Sequence, residues 1–246
     1  MTLDACAEIV AKGDPDRFQA VLAAPLAARK VLLPIYAFNV EVARAPWVAS
    51  EPMISEMRLQ WWRDALEEIQ KGEQVRRHEV VTPLSEVIDA DGAEILDRLI
   101  SARRWDCYKD AFEDASHFDS YLQDTGGGLM WVAARALGGT DEAAFRSIGW
   151  ASGLANLFLA IPELEALGRR PLADGRNYSV STLAYNALKI LQKPPNSGRP
   201  ATLAAWRAKG ILKRAAKYPA RVSSGELAES EFQRRIALVM AAWGLG

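Results

Sequence analysis

Histidine and cysteine are scarce in this chain, two of each among 246 residues. Cys6 and Cys107 stand far apart, so nothing marks a disulfide framework or a cysteine metal cluster, and a reducing compartment is the simplest setting. His78 and His117 have no partner at metal-ligand spacing. No serine sits in a strand-to-helix elbow, which leaves a nucleophile–His–acid triad without support. The formal net charge is only −1, so there is no global bias toward nucleic acid or an anionic membrane. Long apolar runs are missing too. The longest uncharged stretch, Ser147 to Pro162, falls short of the ~20 residues that span a bilayer and reads as a buried core helix. The opening, MTLDACAEIVAKGDPD, has early acids and no apolar core of signal-peptide length, which predicts a cytoplasmic setting.

Strand-like alternation is scarce, whereas apolar residues at three- and four-residue spacing recur throughout. Half of the residues are hydrophobic and a quarter charged, enough for a real core, and residues 1–246 read as one all-α domain. Ser50 is a plausible N-cap before Pro52, with Met53, Met57, Trp61 and Ala65 on one face and Gly72 as the stop. Leu96, Leu99, Ile100 and Arg103 share a face of the next helix. Thr140 is expected to cap a helix whose stripe is Leu154, Leu157, Phe158 and Ile161, ending at Pro162. Pro34 predicts a kink or a first turn. Gly126, Gly127 and Gly128 interrupt a helical pattern, each at roughly 1 kcal/mol against alanine, which implies a bend or a close approach by a helix or ligand. Residues 168–176 and 193–200 read as loops.

Four pieces carry more specific information. They are Tyr36-Ala37-Phe38, Leu59 to Leu66 (LQWWRDAL), Arg104-Trp105-Asp106 followed by Tyr121 and Thr125 to Leu129, and Gly153 to Leu157. In order and spacing they resemble the squalene/phytoene synthase family, from about Phe18 to Trp243. The resemblance implies a single-domain isoprenoid-synthase-type helical bundle around a central cavity. In active members it implies head-to-head prenyl transfer, with two Asp boxes holding Mg²⁺ against a diphosphate. Magnesium takes oxygen ligands in near-octahedral geometry, and two Asp four residues apart on a helix share a face and can share a metal.

The boxes are degenerate here. Ala43, Arg44 and Trp47 stand in the first, and Leu159 and Ala160 in the second, with Glu163 the one carboxylate nearby. Arg44 could meet a phosphate but would not act as a metal cluster does. The runs Ala37 to Glu41 (AFNVE), Ser50-Glu51 and Met57 to Trp62 (MRLQWW) resemble the branch of the mitochondrial complex I assembly factor and its bacterial relatives. That likeness implies a protein without catalysis, with a protein partner in respiratory complex assembly and a place peripheral to the inner membrane. No cofactor is expected on this reading.

Two other readings stay open. An active prenyl transferase would need Mg²⁺ on Asp106, Asp110 and Glu163, since Asp106 and Asp110 form a D-x-x-x-D on an expected helix. An isoprenoid or quinone carrier would use a cavity lined by Tyr36, Phe38, Trp61, Trp62, Gly127, Leu129, Leu154, Asn156 and Phe158. Asp64, Glu67 and Glu68, flanked by Arg63 and Lys71, read as a solvated face. Lys209, Lys213, Arg214 and Lys217 beside Trp206, Ile211, Leu212 and Tyr218 resemble an interfacial amphipathic helix, giving a peripheral membrane contact through Lys209–Lys217.

Overall fold

The helical periodicity is realised along the whole chain. The computed structural model describes residues 3–48, 51–191 and 193–244, and among these no strand occurs. Helices α1 (Leu3–Gly13), α2 (Pro15–Ala23), α3 (Leu26–Arg44), α4 (Pro52–Gln70), α5 (Val81–Ser85), α6 (Ala90–Arg103) and α7 (Ala115–Leu122) build the first half. Helices α8 (Gly128–Ala136), α9 (Glu142–Ala166), α10 (Asn177–Ile190), α11 (Ala208–Lys217), α12 (Ala220–Ser224) and α13 (Glu231–Trp243) build the second. Short 3₁₀ turns cover Ala45–Trp47, Arg104–Cys107 and Arg199–Ala205, and a π-helical turn covers Gln123–Gly127.

Local chemistry explains several helix ends. Asp14, Asp89 and Asp141 each accept a backbone N–H from the third residue on, satisfying a donor that the first helical turn leaves open. The cap of α9 is therefore Asp141, one residue beyond Thr140, its carboxylate accepting from Ala144 N at 3.0 Å. Ser50 lies outside the described residues, and α4 starts after Glu51 with Pro52 in its first turn. Gly72 takes a left-handed φ of 66° after α4. Neither proline stops its helix. Pro34 lies in the interior of α3, and α9 runs past Pro162 to Ala166.

The inward face of α4 differs from the expected one. Met53 and Met57 are 73% and 67% exposed and Trp61 is at the surface, whereas Leu59, Trp62, Ala65 and Leu66 are buried. Apolar residues lie on both stripes, so periodicity alone cannot choose between them. The choice is made by α6, against which Arg63 clamps Asp97 with two bonds of 2.7 and 2.9 Å. Asp64, Glu67 and Glu68 are held in local pairs with Gln60, Lys71 and Arg76, the solvated-face arrangement expected of them.

Two apolar clusters fill the bundle. One joins α1 to α6 with α8; the other joins α7 with α9 to α12. Helix α9 is long and apolar enough to cross a membrane by length and composition, yet most of it is buried inside the bundle. The interfacial reading of α11 needs correction. Ile211, Leu212 and Ala215 are fully buried against α9 and α10, and Trp206 is buried too, so the apolar face is not free to enter a lipid interface. Lys209, Lys213 and Lys217 remain exposed on the opposite side, and Arg214 is paired with Glu229.

Helix α13 sits on α2 and on the Arg199–Ala205 turn. Ala237, Leu238 and Ala241 face the core, and Asp16 holds both Arg207 and Arg234. Asp16 thus ties three segments with charge-assisted bonds. Asp16→Ala is expected to speed amide exchange across residues 231–243 roughly tenfold, the equivalent of one lost charged bond, while α3 and α9 keep their protection. Hydrogen–deuterium exchange read by mass spectrometry checks it; equal loosening of the whole chain would contradict it.

Candidate functional site

A cavity of about 1020 Å³ opens between α1, α3, α9 and the Arg104–Cys107 turn. That is at the upper end of the ~300–1,000 Å³ of ordinary ligand pockets. Helix α3 and the 3₁₀ turn after it line it with Asn39, Ala43 and Trp47, one helical turn apart, together with Val40, Glu41 and Arg44. Helix α9 lines it with Ser152, Asn156, Ala160 and Leu164 at the same spacing, together with Gly153 and Leu157. Small residues on both stripes leave the space.

The glycines at the π-helical turn explain its floor. A Cβ on Gly126 would stand 2.6 Å from Gly149 O, and one on Gly149 would stand 2.6 Å from Met130 Cβ. Backbone meets backbone here, so the close approach is to α9, and Gly126 itself lines the cavity. Gly127 does not line it; it packs beside Arg146 O.

Of the residues expected around the cavity, Leu129 and Asn156 line it, as do Ala43, Arg44, Trp47, Ala160 and Asp106. The others do not. Tyr36 and Phe38 are fully buried in the first cluster, Tyr36 donating to Ala201 O at 3.3 Å and Phe38 meeting Trp62 edge-on at 5.4 Å. Burial pushes the Tyr36 phenol up to about 12. Trp62 belongs to the core, and Trp61 lies at the surface under Arg76. Leu154 and Phe158 pack in the second cluster. The reason is rotational: the apolar stripe of α9 is used against α10 and α11, and the cavity receives its neighbouring stripe of small and polar residues. Leu159 and Glu163 lie off the lining, and Glu163 is exposed.

Asp106 and Asp110 do not form a same-face pair. α6 ends at Arg103, a 3₁₀ turn follows, and Tyr108 is extended, so Asp110 leaves into an exposed loop. Asp106 is buried and engaged. Arg103 Nη1 donates to it at 2.9 Å, and the Tyr121 hydroxyl donates at 3.0 Å. Burial, reinforced by Asp106 and opposed by Arg103, pushes the Tyr121 phenol far above its ordinary range. Arg169, which carries no sequence signal because it lies in a loop, donates to Asp106 O at 2.7 Å and Tyr108 O at 2.6 Å. Its guanidinium lies 4.4 Å over the Trp47 ring. Arg169 and Trp47 also line a smaller pocket of about 420 Å³, so the stacked pair forms a wall between the two.

The arginines of the lining are engaged, Arg169 with backbone carbonyls and the others with carboxylates. Arg17 holds Asp14, Arg44 holds Glu41, and Arg207 holds Asp16 and Glu229. The magnesium site implied by the resemblance does not fit these residues. The two facing stripes offer amide, hydroxyl, methyl and indole groups, and Asp106 is already bonded. Among the described residues no group of three or more His, Cys, Asp or Glu is placed to hold a metal. Both thiols are buried, which raises Cys6 and Cys107 to about 11, far from a reactive thiolate.

The squalene/phytoene synthase family model matches residues 10–241. The chain is similar to a dehydrosqualene synthase solved in complex with ligand, with a TM-score of 0.78 at 15% identity, covering 97% of this chain and 94% of that one. It is similar to squalene synthase HpnC from Alicyclobacillus acidocaldarius, with a TM-score of 0.68 at 18% identity over 87% and 93% of the two chains. At these identities the likeness shows the fold. Among curated proteins it is similar to the NADH dehydrogenase (ubiquinone) complex I, assembly factor 6 homolog of Drosophila melanogaster, 29% identical over 64% of this chain and 50% of that protein. The human assembly factor 6 is 24% identical over 64% and 48%. The chain thus aligns with about half the length of these relatives.

Proposed function

Because the chain belongs to the squalene/phytoene synthase family, we propose that it is a member without prenyl-transfer catalysis, keeping the family cavity as a binding compartment. One observation carries the reading. The stripes that α3 and α9 turn to the cavity read Asn39, Ala43, Trp47 and Ser152, Asn156, Ala160. Ionising an allylic diphosphate needs divalent cations to hold the departing charge, and these side chains supply no carboxylate for them. Asp110 and Glu163 are exposed and off the lining, and Asp106 has its own partners, so the alternative of a displaced metal site gains no support. No resident metal or cofactor is part of this proposal.

The likeness to assembly factor 6 of several animals supports a role in assembling a respiratory NADH dehydrogenase, with a protein partner at the membrane that holds the complex. The chain would work there as a peripheral protein, on the cytoplasmic side of an inner membrane. The test has two arms. Incubation with farnesyl or geranylgeranyl diphosphate and Mg²⁺ is expected to release no diphosphate above the protein-free rate, with an active family synthase as the positive control. Deleting the chain from its source cell is expected to lower the amount of assembled NADH dehydrogenase on a native gel. Metal-dependent turnover in the first arm would end the non-catalytic reading.

A further inference from the structure

The cavity lining divides its polar groups into two sets. The arginines are engaged in ion pairs, Arg17 with Asp14 at 2.5 Å, Arg103 with Asp106 at 2.9 Å, Arg44 with Glu41 at 3.2 Å, and Arg207 with Glu229 at 2.7 Å, or, for Arg169, with backbone carbonyls. The uncharged side chains divide: Thr125 donates to Tyr121 O and the Tyr121 hydroxyl to Asp106, whereas three others have no protein partner. Asn39 and Ser152 are 6% and 7% exposed, both line the cavity, and neither side chain has a protein hydrogen-bond partner. Asn156, one turn from Ser152 on the same face of α9, lines it as well and is equally unpartnered. A buried amide or hydroxyl left unmet costs about 1–3 kcal/mol, so such groups on a cavity wall are complementary to a ligand head that meets them.

We propose that the cavity binds an uncharged amphiphile: a long apolar chain ending in a hydroxyl or carbonyl, which Asn39, Ser152 and Asn156 hold by hydrogen bonds. The proposal rests on the non-catalytic reading above and extends it to the class of ligand. Of the cations in the lining, Lys12, Arg17, Arg44, Arg103 and Arg207 are in ion pairs and Arg169 is held by two backbone carbonyls, so a diphosphate would have to displace an existing partner to obtain one, and would bring its charge beside Asp106 and Asp14. A neutral head disturbs none of these pairs. Each Asn offers donors and an acceptor, and the serine hydroxyl offers both, so a hydroxyl or carbonyl head finds a complement in either sense. Val40, Trp47, Trp105, Leu129 and Leu157 supply apolar wall for the chain.

The full chain is titrated with farnesol, with farnesene (a related hydrocarbon without the hydroxyl), and with farnesyl diphosphate plus Mg²⁺. Tryptophan fluorescence is the readout, since Trp47, Trp105 and Trp206 line the cavity. Farnesol is expected to saturate the signal and to bind about tenfold tighter than farnesene, the worth of one or two good hydrogen bonds. The diphosphate is expected to bind more weakly than farnesol. Asn39→Leu and Ser152→Ala are each expected to weaken farnesol about three- to tenfold and to leave farnesene unchanged. Asn156→Leu, at a more open position, stands in where Asn39→Leu does not fold. Farnesol no tighter than farnesene, or variants that weaken both alike, would overturn the proposal. No farnesol binding without diphosphate release would remove this inference and leave the non-catalytic reading in place. Tight Mg²⁺-dependent diphosphate binding with turnover would remove both.

Discussion

Asp106→Ala is expected to destabilise the protein by about 3–5 kcal/mol, the range for removing one partner of a buried ion pair. Asp106 is 5% exposed, and its carboxylate takes one bond from Arg103 and one from Tyr121. Alanine removes both acceptors at once. Arg103 then keeps its charge in a poorly solvated place with the Tyr121 oxygen, at 2.6 Å, as its remaining partner. Tyr121 loses the acceptor for its own proton. In the intact cluster Tyr121 and Asp106 more than offset the cost of burying the Arg103 guanidinium, which therefore holds its proton above its ordinary range. At this chain length the loss corresponds to roughly 10 °C in melting temperature. Asp106→Asn keeps an acceptor and loses the charge, so it should fall between parent and alanine variant. Thermal melts followed by circular dichroism check the series, with and without Mg²⁺. A parent whose melting rises steeply with Mg²⁺, and an alanine variant that melts like the parent without it, would make Asp106 a metal ligand instead of a structural anion.

Gly149→Val is expected to cost about 3 kcal/mol or more, at the upper end for overpacking. A Cβ at this position would run into Gly126 O and stand 2.6 Å from Met130 Cβ. The carbonyl belongs to the π-helical turn and cannot rotate aside as a side-chain tip can. Relief requires α9 to move from that turn, and both walls contribute to the cavity through Gly126, Ser152 and Gly153. The variant should therefore lose ligand response and stability together. Gly175→Val, in a loop where an added Cβ meets nothing within 4 Å, should change melting little. Equal melting temperatures for the two variants would show that the close approach is not a constraint.

Much of the scaffold is legible from the residues. Helical spacing marks α4, α6 and α9, the uncharged run in α9 is buried as its composition implies, and Gly126 marks a close helix approach. The errors are rotational. Met53, Met57 and Trp61 look like a core stripe because they are apolar, yet the Arg63–Asp97 clamp sets α4 one stripe over. Leu154 and Phe158 look like cavity wall for the same reason and are core. Asp110 looks like the partner of Asp106 only while both are placed on one helix. Ile211 and Leu212 look free to meet a membrane only until α9 and α10 cover them. Arg169 left no trace, since a loop arginine has no periodicity to read.

By itself the chain of residues determined the all-α bundle and the lack of paired carboxylates on α3 and α9, because these depend on spacing of 3.6 residues per turn and on side-chain chemistry, both local properties, while the family was marked by the resemblance of its motifs. Tertiary structure decided which stripe of each helix faces the cavity, which charges are paired there, and that Asn39, Ser152 and Asn156 are left free. The physical reason is that a helix with apolar residues on two adjacent stripes has nearly equal ways to bury itself. Only the neighbours packed against it break that tie.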